Sequence, residues 1–126
     1  MSELPENLHY TSEHQWLRLE ADNVVCVGIT DFAQQQLGDL VYVDLPVLGR
    51  RVLAKEQCAV VESVKTASDL SSPVTGEIIA VNSVAVDDPE QINVNPYETW
   101  LFSVKADDLS EMDDWLDSQA YLQIIE

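Results

Sequence analysis

Positive charge is scarce in this chain. Its 126 residues hold six lysines and arginines against 23 aspartates and glutamates, a formal net charge of −17. Such a surface repels a phosphate backbone and an anionic membrane face, so neither nucleic acid nor membrane is an expected partner. The same field favours partners that present basic docking faces. Histidine and cysteine are equally sparse: His9 and His14, Cys26 and Cys58. These four residues show no metal-ligand spacing and no Cys-x-x-Cys pair, so no metal site is expected. Each cysteine sits in an apolar run, which reads as a buried free thiol in a reducing compartment rather than half of a disulfide. No run is long and apolar enough to cross a bilayer. Residues 1–8 lack the basic start and apolar stretch of a secretory signal.

The signatures of common catalysts are missing as well. There is no Gly-rich phosphate loop, no G-x-S-x-G elbow and no H-E-x-x-H pair. Acidic pairs such as Asp107-Asp108 and Asp113-Asp114 read as solvated faces. No catalytic residue is assigned, and the expectation is a protein that is not an enzyme.

What is present is a series of short runs rich in valine and isoleucine, separated by Gly, Pro, Asn and Asp. They predict strands over 16–19, Val24–Ile29, Leu40–Asp44, 58–64, 77–81 and 99–104. Many short strands with frequent turn signals indicate a mainly β fold, a sandwich or barrel. Thr30 can cap a short helix over Asp31–Leu37, with Gly38 as its stop. Past Lys105 the spacing of Leu109, Met112, Trp115 and Leu116 predicts one helical face, capped by Ser110 or Asp108. A last segment, 119–125, is expected to dock Tyr121 and Ile124 on the body. Pro73 and Pro96 are expected to end strands. The three tryptophans read as core or helix-docking residues. No linker divides the chain. Residues 1–126 read as one domain, with core strands over about 14–105 and a helical segment over about 107–125.

Two stretches resemble each other. Gly38-Asp39-Leu40-Val41-Tyr42-Val43 parallels Gly76-Glu77-Ile78-Ile79-Ala80-Val81, and Glu62-Ser63-Val64-Lys65 parallels Phe102-Ser103-Val104-Lys105, at offsets of about 38 and 40 residues. The pattern suggests two half-units that interlock to bury one face together.

Only three lysines occur: Lys55, Lys65 and Lys105. Lys55 lies in a polar turn, and Lys105 closes the last strand. Lys65 is approached by the apolar run 59–64 and left by the small polar residues Thr66-Ala67-Ser68-Asp69. This context places it at the tip of a hairpin between two core strands, where an exposed amine can be acylated. Spacing alone is also compatible with an ordinary exposed turn lysine.

The stretch Glu62-Ser63-Val64-Lys65-Thr66-Ala67-Ser68-Asp69, with Ser72-Pro73-Val74-Thr75-Gly76-Glu77-Ile78, resembles the lipoyl-attachment segment of the glycine cleavage H-protein family. His9-Tyr10, His14-x-Trp16, Val27-Gly28-Ile29-Thr30-Asp31, Leu37-Gly38-Asp39, Leu45-Pro46, Asn82 and Asn95-Pro96-Tyr97 extend the resemblance over nearly the whole chain.

The resemblance implies a lipoyl/biotinyl-type flattened barrel-sandwich of two antiparallel sheets, with a short internal helix and a C-terminal helix. It implies covalent lipoate on Lys65, with Glu62, Ser63, Val64, Ala67 and Asp69 recognised by lipoyl-attaching enzymes. It implies a cleft for the arm near His14, Gln15 and Gln36. The implied partners are a pyridoxal-phosphate glycine decarboxylase, a tetrahydrofolate-dependent aminomethyltransferase and a dihydrolipoyl dehydrogenase. The protein would be a monomeric, cytoplasmic carrier of bacterial type that shuttles a glycine-derived aminomethyl group.

A lipoyl-relay protein that hands its lipoyl group to other acceptors would share these features. A biotin carrier module would normally flank its lysine with methionines, where this chain has Val64 and Thr66. A lipoyl domain of a 2-oxoacid dehydrogenase would come with a linker and an acyltransferase domain. The chain departs from the family pattern at Gln15, where glutamate is usual; at Phe32, where histidine is frequent; and at Thr99, where glycine usually precedes the tryptophan.

Overall fold

The computed structural model describes residues 4–125. It holds nine strands: β1 (His9–Tyr10), β2 (Gln15–Leu19), β3 (Val24–Ile29), β4 (Leu40–Asp44), β5 (Arg51–Val52), β6 (Gln57–Ser63), β7 (Ala67–Ser71), β8 (Gly76–Val81) and β9 (Phe102–Ala106). The α-helices are α1 (Asp31–Leu37), α2 (Ser83–Asp87), α3 (Glu90–Val94) and α4 (Ser118–Ile125), with 3-10 turns at Ala21–Asn23 and Ser110–Asp114. Six strands form one antiparallel sheet in the order β1-β2-β3-β9-β8-β5, and β4-β6-β7 form the other. This is the mainly β fold that the strand pattern predicts, in the two-sheet form that the family resemblance implies.

Two apolar clusters hold the sheets. The larger takes Leu17, Val25, Val27 and Ile29 from one sheet, and Leu40, Val43, Val61 and Leu70 from the other. The smaller gathers Leu8, Tyr10, Trp16, Cys26 and Tyr121 on the outer face. Strand alternation explains the split: successive side chains of β2 and β3 point to opposite faces, so Leu17 and Trp16 enter different clusters. Both faces of β3 are covered, which is why its sequence is apolar throughout and not alternating. Burying each large aliphatic chain contributes roughly 1.5–3 kcal/mol. Gly28 is required beneath the Trp16 ring, since a Cβ there would fall 2.3 Å from a ring carbon.

The repeated stretches occupy corresponding places. β4 pairs with β6 in the small sheet, and β8 with β9 in the large one, both antiparallel. Each pair carries a register break at the equivalent position, Val41 in β4 and Ile79 in β8. The repeated stretches therefore pair one in each sheet and share the larger core, while β5, between the two stretches of the first half-unit, crosses over to pair with β8.

Several expected elements differ. The continuous helix after Lys105 is broken: a 3-10 turn ends at Trp115, whose ψ of 150° is extended. Tyr10 and Leu116 then exchange backbone hydrogen bonds at 2.8 and 2.7 Å, a sheet pairing that outcompetes helical continuation. Neither candidate cap holds that position: the cap residue is Leu109, which makes no side-chain cap bond, while Asp108 just before it accepts from the Ser110 backbone N–H. In α4, Tyr121 is buried as expected, but Ile124 is 47% exposed and Ile125 packs on the smaller cluster instead. The strand expected over 99–104 starts at Phe102, because the Thr99 backbone N–H and hydroxyl donate to Asn95 and Gln91 of the preceding helix end. Pro96 follows α3 and ends no strand. β1, β5, β7, α2 and α3 were not in the expected set. Of the expected single domain 1–126, residues 1–3 and 126 lie outside the described residues.

Candidate functional site

β6 and β7 form a hairpin whose turn is 63–66, with Lys65 at its tip. The Ser63 backbone N–H donates to the Thr66 carbonyl at 2.7 Å. The Ser63 side-chain oxygen accepts from the backbone N–H of Lys65 at 3.3 Å and of Thr66 at 3.1 Å, and its O–H donates to the Thr66 carbonyl at 3.2 Å. One buried serine therefore stitches the whole turn. No residue of the turn has positive φ, so β-branched Val64 fits where a tighter hairpin would need glycine.

The turn is also tied to the start of β4. The Val64 N–H donates to the Asp39 carbonyl at 3.2 Å. Asn93 of α3 braces that loop: its side chain accepts from the Leu40 N–H and donates to the Gly38 carbonyl and to Gln34 of α1, each at 2.9 Å. Lys65 is exposed, and among the described residues no ion pair or hydrogen bond takes its ammonium group.

The flanking residues separate by face. Glu62 is half-buried and pairs across the ladder with Ala67 and Tyr42. Asp69 is exposed and accepts from the Gln57 amide at 3.0 Å. Val64 is 74% exposed, an apolar side chain presented beside the lysine. The other lysines are placed differently. Lys105 lies inside β9, paired with Val24 and Glu77 on its two sides. Lys55 leans toward Asp114 at 3.9 Å.

Beside the hairpin lies a cleft of about 120 Å³, lined by Glu13, His14, Ile29, Ala33, Gln36, Leu37, Val61, Ser68 and Leu70. His14 and Gln36 both line it. Gln15 does not line it. Its side chain is buried, donates to the Ser71 carbonyl at 2.8 Å and accepts from the Thr11 hydroxyl at 3.2 Å, facing a neighbouring pocket of about 220 Å³. His14 lies just before β2 with φ 70°, and this left-handed backbone turns its side chain and that of Gln15 to different hollows. The carboxylate on the ridge between the two hollows is Glu13, which lines both and accepts from the Ser71 hydroxyl at 2.6 Å. Sequence reasoning missed Glu13, Ala33 and Ser68. The i, i+3, i+4 spacing of Ala33, Gln36 and Leu37 was the readable signal for one wall.

His14 sits at a φ of 70° and packs on Phe32, with ring centroids 4.9 Å apart. Its Nδ1 is 2.8 Å from the Tyr121 hydroxyl. Burial holds its pKa below the ordinary histidine value, since a charged ring is poorly solvated there. Both thiols are buried and unpaired, and burial pushes Cys58 up to about 11.

Comparison with known proteins agrees with this geometry. Residues 8–126 match the family described as Glycine cleavage H-protein. The chain is 57% identical to the glycine cleavage system H protein of Methylococcus capsulatus, over all of this chain and 99% of that one. It is 53% identical to that of Shigella dysenteriae, over 100% and 98%. The crystal structure of a glycine cleavage system H protein from Mycobacterium marinum superposes with a TM-score of 0.88 at 41% identity, covering 95% of this chain and 97% of that one. The chain with Lys65 at its hairpin tip belongs to the glycine cleavage H-protein family.

Proposed function

We propose that Lys65 carries lipoate in amide linkage and that the protein is the lipoyl carrier of the glycine cleavage system. One observation supports the reading: an exposed lysine without a partner among the described residues, on a hydrogen-bonded turn, in the stretch whose sequence resembles the family's attachment segment. When attached, lipoate supplies a disulfide that accepts the aminomethyl group derived from glycine.

The residues present suit such an arm. From Lys65 Cα to the far end of a lipoyl group is on the order of 15 Å by standard bond lengths. At about 3.3 Å per strand residue, Ser68 is roughly 10 Å from Lys65 and Leu70 roughly 17 Å, so the smaller cleft begins within reach. Ser71, the nearest part of the hairpin in the larger pocket, is roughly 20 Å away and beyond it. The apolar side chains of Ile29, Leu37, Val61 and Leu70 suit the arm's hydrocarbon, and Glu13 offers a carboxylate to a cationic aminomethyl nitrogen.

The protein's own contribution is position and effective concentration, and no bond-making group is assigned to it. Its partners are a pyridoxal-phosphate glycine decarboxylase, a tetrahydrofolate-dependent aminomethyltransferase, a dihydrolipoyl dehydrogenase and the enzymes that attach lipoate. The acidic surface favours basic docking faces on each. Reconstitution of glycine cleavage with Lys65→Arg tests this. The variant should keep the circular dichroism of the parent and support no turnover. A folded variant that still turns over would refute the carrier role of Lys65.

A further inference from the structure

The two walls of the smaller cleft come from different parts of the chain. His14, in the β1–β2 connection, forms one. α1, through Ala33, Gln36 and Leu37, forms another. Both lead back to one hydroxyl. The Tyr121 OH lies 2.8 Å from His14 Nδ1 and 2.8 Å from the Thr30 hydroxyl. Thr30 in turn caps α1, accepting from the Ala33 N–H at 3.2 Å, and its backbone N–H donates to the His14 carbonyl at 3.0 Å. Tyr121 is buried and stacked on Tyr10, with centroids 4.9 Å apart and ring planes 9° apart. It lines neither hollow.

We infer that Tyr121 is a positioning residue for the arm cleft: its hydroxyl ties His14 on one wall to the head of α1 on the other, and so fixes which ring nitrogen faces the cleft. The inference rests on the reading of this cleft as the arm's resting place. The chemistry follows from the hydrogen-bond inventory. The phenol can meet Nδ1 as donor or as acceptor, so it fixes the orientation of the ring in either neutral tautomer and leaves Nε2 for whatever occupies the cleft. Nε2 has no protein partner among the described residues. Without the phenol the ring is free to turn about its side-chain bonds, and the wall is less ordered.

The test uses lipoylated, aminomethyl-loaded protein. Tyr121→Phe keeps the ring stacked on Tyr10 and removes only the hydroxyl. Tyr10→Phe is the matched control: it removes from the same ring stack a hydroxyl that donates to the Pro5 carbonyl, a residue of neither wall. Ser68→Trp fills the cleft and tests the underlying reading by itself. Two quantities are read: the orientation of the His14 ring from its nuclear Overhauser contacts to Phe32 and to the ring at position 121, and the rate of hydrolysis of the loaded arm. That hydrolysis consumes one water and releases formaldehyde and ammonium from the sulfur, which leaves as a thiol.

The expected result is one ring orientation in the parent and in Tyr10→Phe, more than one in Tyr121→Phe, and hydrolysis roughly fivefold faster in Tyr121→Phe, the size of one net hydrogen bond. More than one ring orientation in the parent, or one unchanged orientation in Tyr121→Phe, would overturn the inference. So would unchanged hydrolysis in Tyr121→Phe while Ser68→Trp accelerates it. If neither variant alters hydrolysis, the cleft reading itself fails and the inference with it.

Discussion

The Lys65 side chain lies across Gly38: a methyl group placed on that glycine would meet Lys65 Cε at 3.5 Å and Nζ at 3.9 Å. The lysine stem thus rests on backbone before its amine reaches solvent. Gly38 has φ 83° and ψ −159°, a region that L-residues scarcely enter. The same residue ends α1, aims the chain into β4 and leaves a surface over which the stem can lie.

Gly38→Ala should therefore destabilise the protein by on the order of 1–3 kcal/mol, the usual cost of forcing a side chain into that region. Urea unfolding measures it. An unchanged midpoint would mean that the loop has another conformation open to it.

Asn93→Ala should cost roughly 1–2 kcal/mol, because three hydrogen bonds of a half-buried amide are lost and the Leu40 N–H is left without its side-chain acceptor. The loss falls on the loop that supports Lys65, so amide hydrogen exchange at Leu40 and Val64 should quicken more than at β3. Uniform quickening would show that Asn93 does not brace the turn locally.

The sequence revealed strands wherever valine and isoleucine dominate, because β-branched chains on a half-buried pleat are the signal that pattern reading detects. It hid β7, whose sequence Ala-Ser-Asp-Leu-Ser has one large apolar residue and becomes a strand by pairing with β6. β1 and β5, two residues each, were too short to show a period. The valines of α2 read against helix, yet Asn82 caps that turn, accepting from the Val84 N–H at 3.2 Å, and buried Ala85 anchors it. Lys65 was legible, since its hairpin context is local. The cleft was only partly legible, since its walls are brought together by tertiary packing. His14 and Gln36 line the smaller hollow and Gln15 the larger one, because the left-handed backbone at His14 turns the two neighbouring side chains apart.

A pH dependence follows from His14. Burial holds its folded pKa below the ordinary value of 6.5, so the unfolded chain binds the proton more readily. Stability tied to this ring is full above pH 6.5 and falls as pH drops toward the folded pKa. His14→Asn is the suitable comparison, since asparagine tolerates the positive φ. The stability difference between parent and variant should shrink from pH 8 to pH 5.5. A difference independent of pH would contradict the assignment.

Cys26 and Cys58 should be inert in the folded state. Both are buried, and burial raises both thiol pKa values, that of Cys58 to about 11. A thiol reagent at pH 7.5 should label neither in the native protein and both in denaturant. Rapid native labelling of either would show that its strand opens.

The account turns on one lysine, and intact-mass analysis with peptide mapping addresses it directly. Protein produced with lipoate and its attaching enzymes should carry one lipoyl adduct, on the peptide that contains Lys65. No adduct, or an adduct on Lys55 or Lys105, would contradict the account.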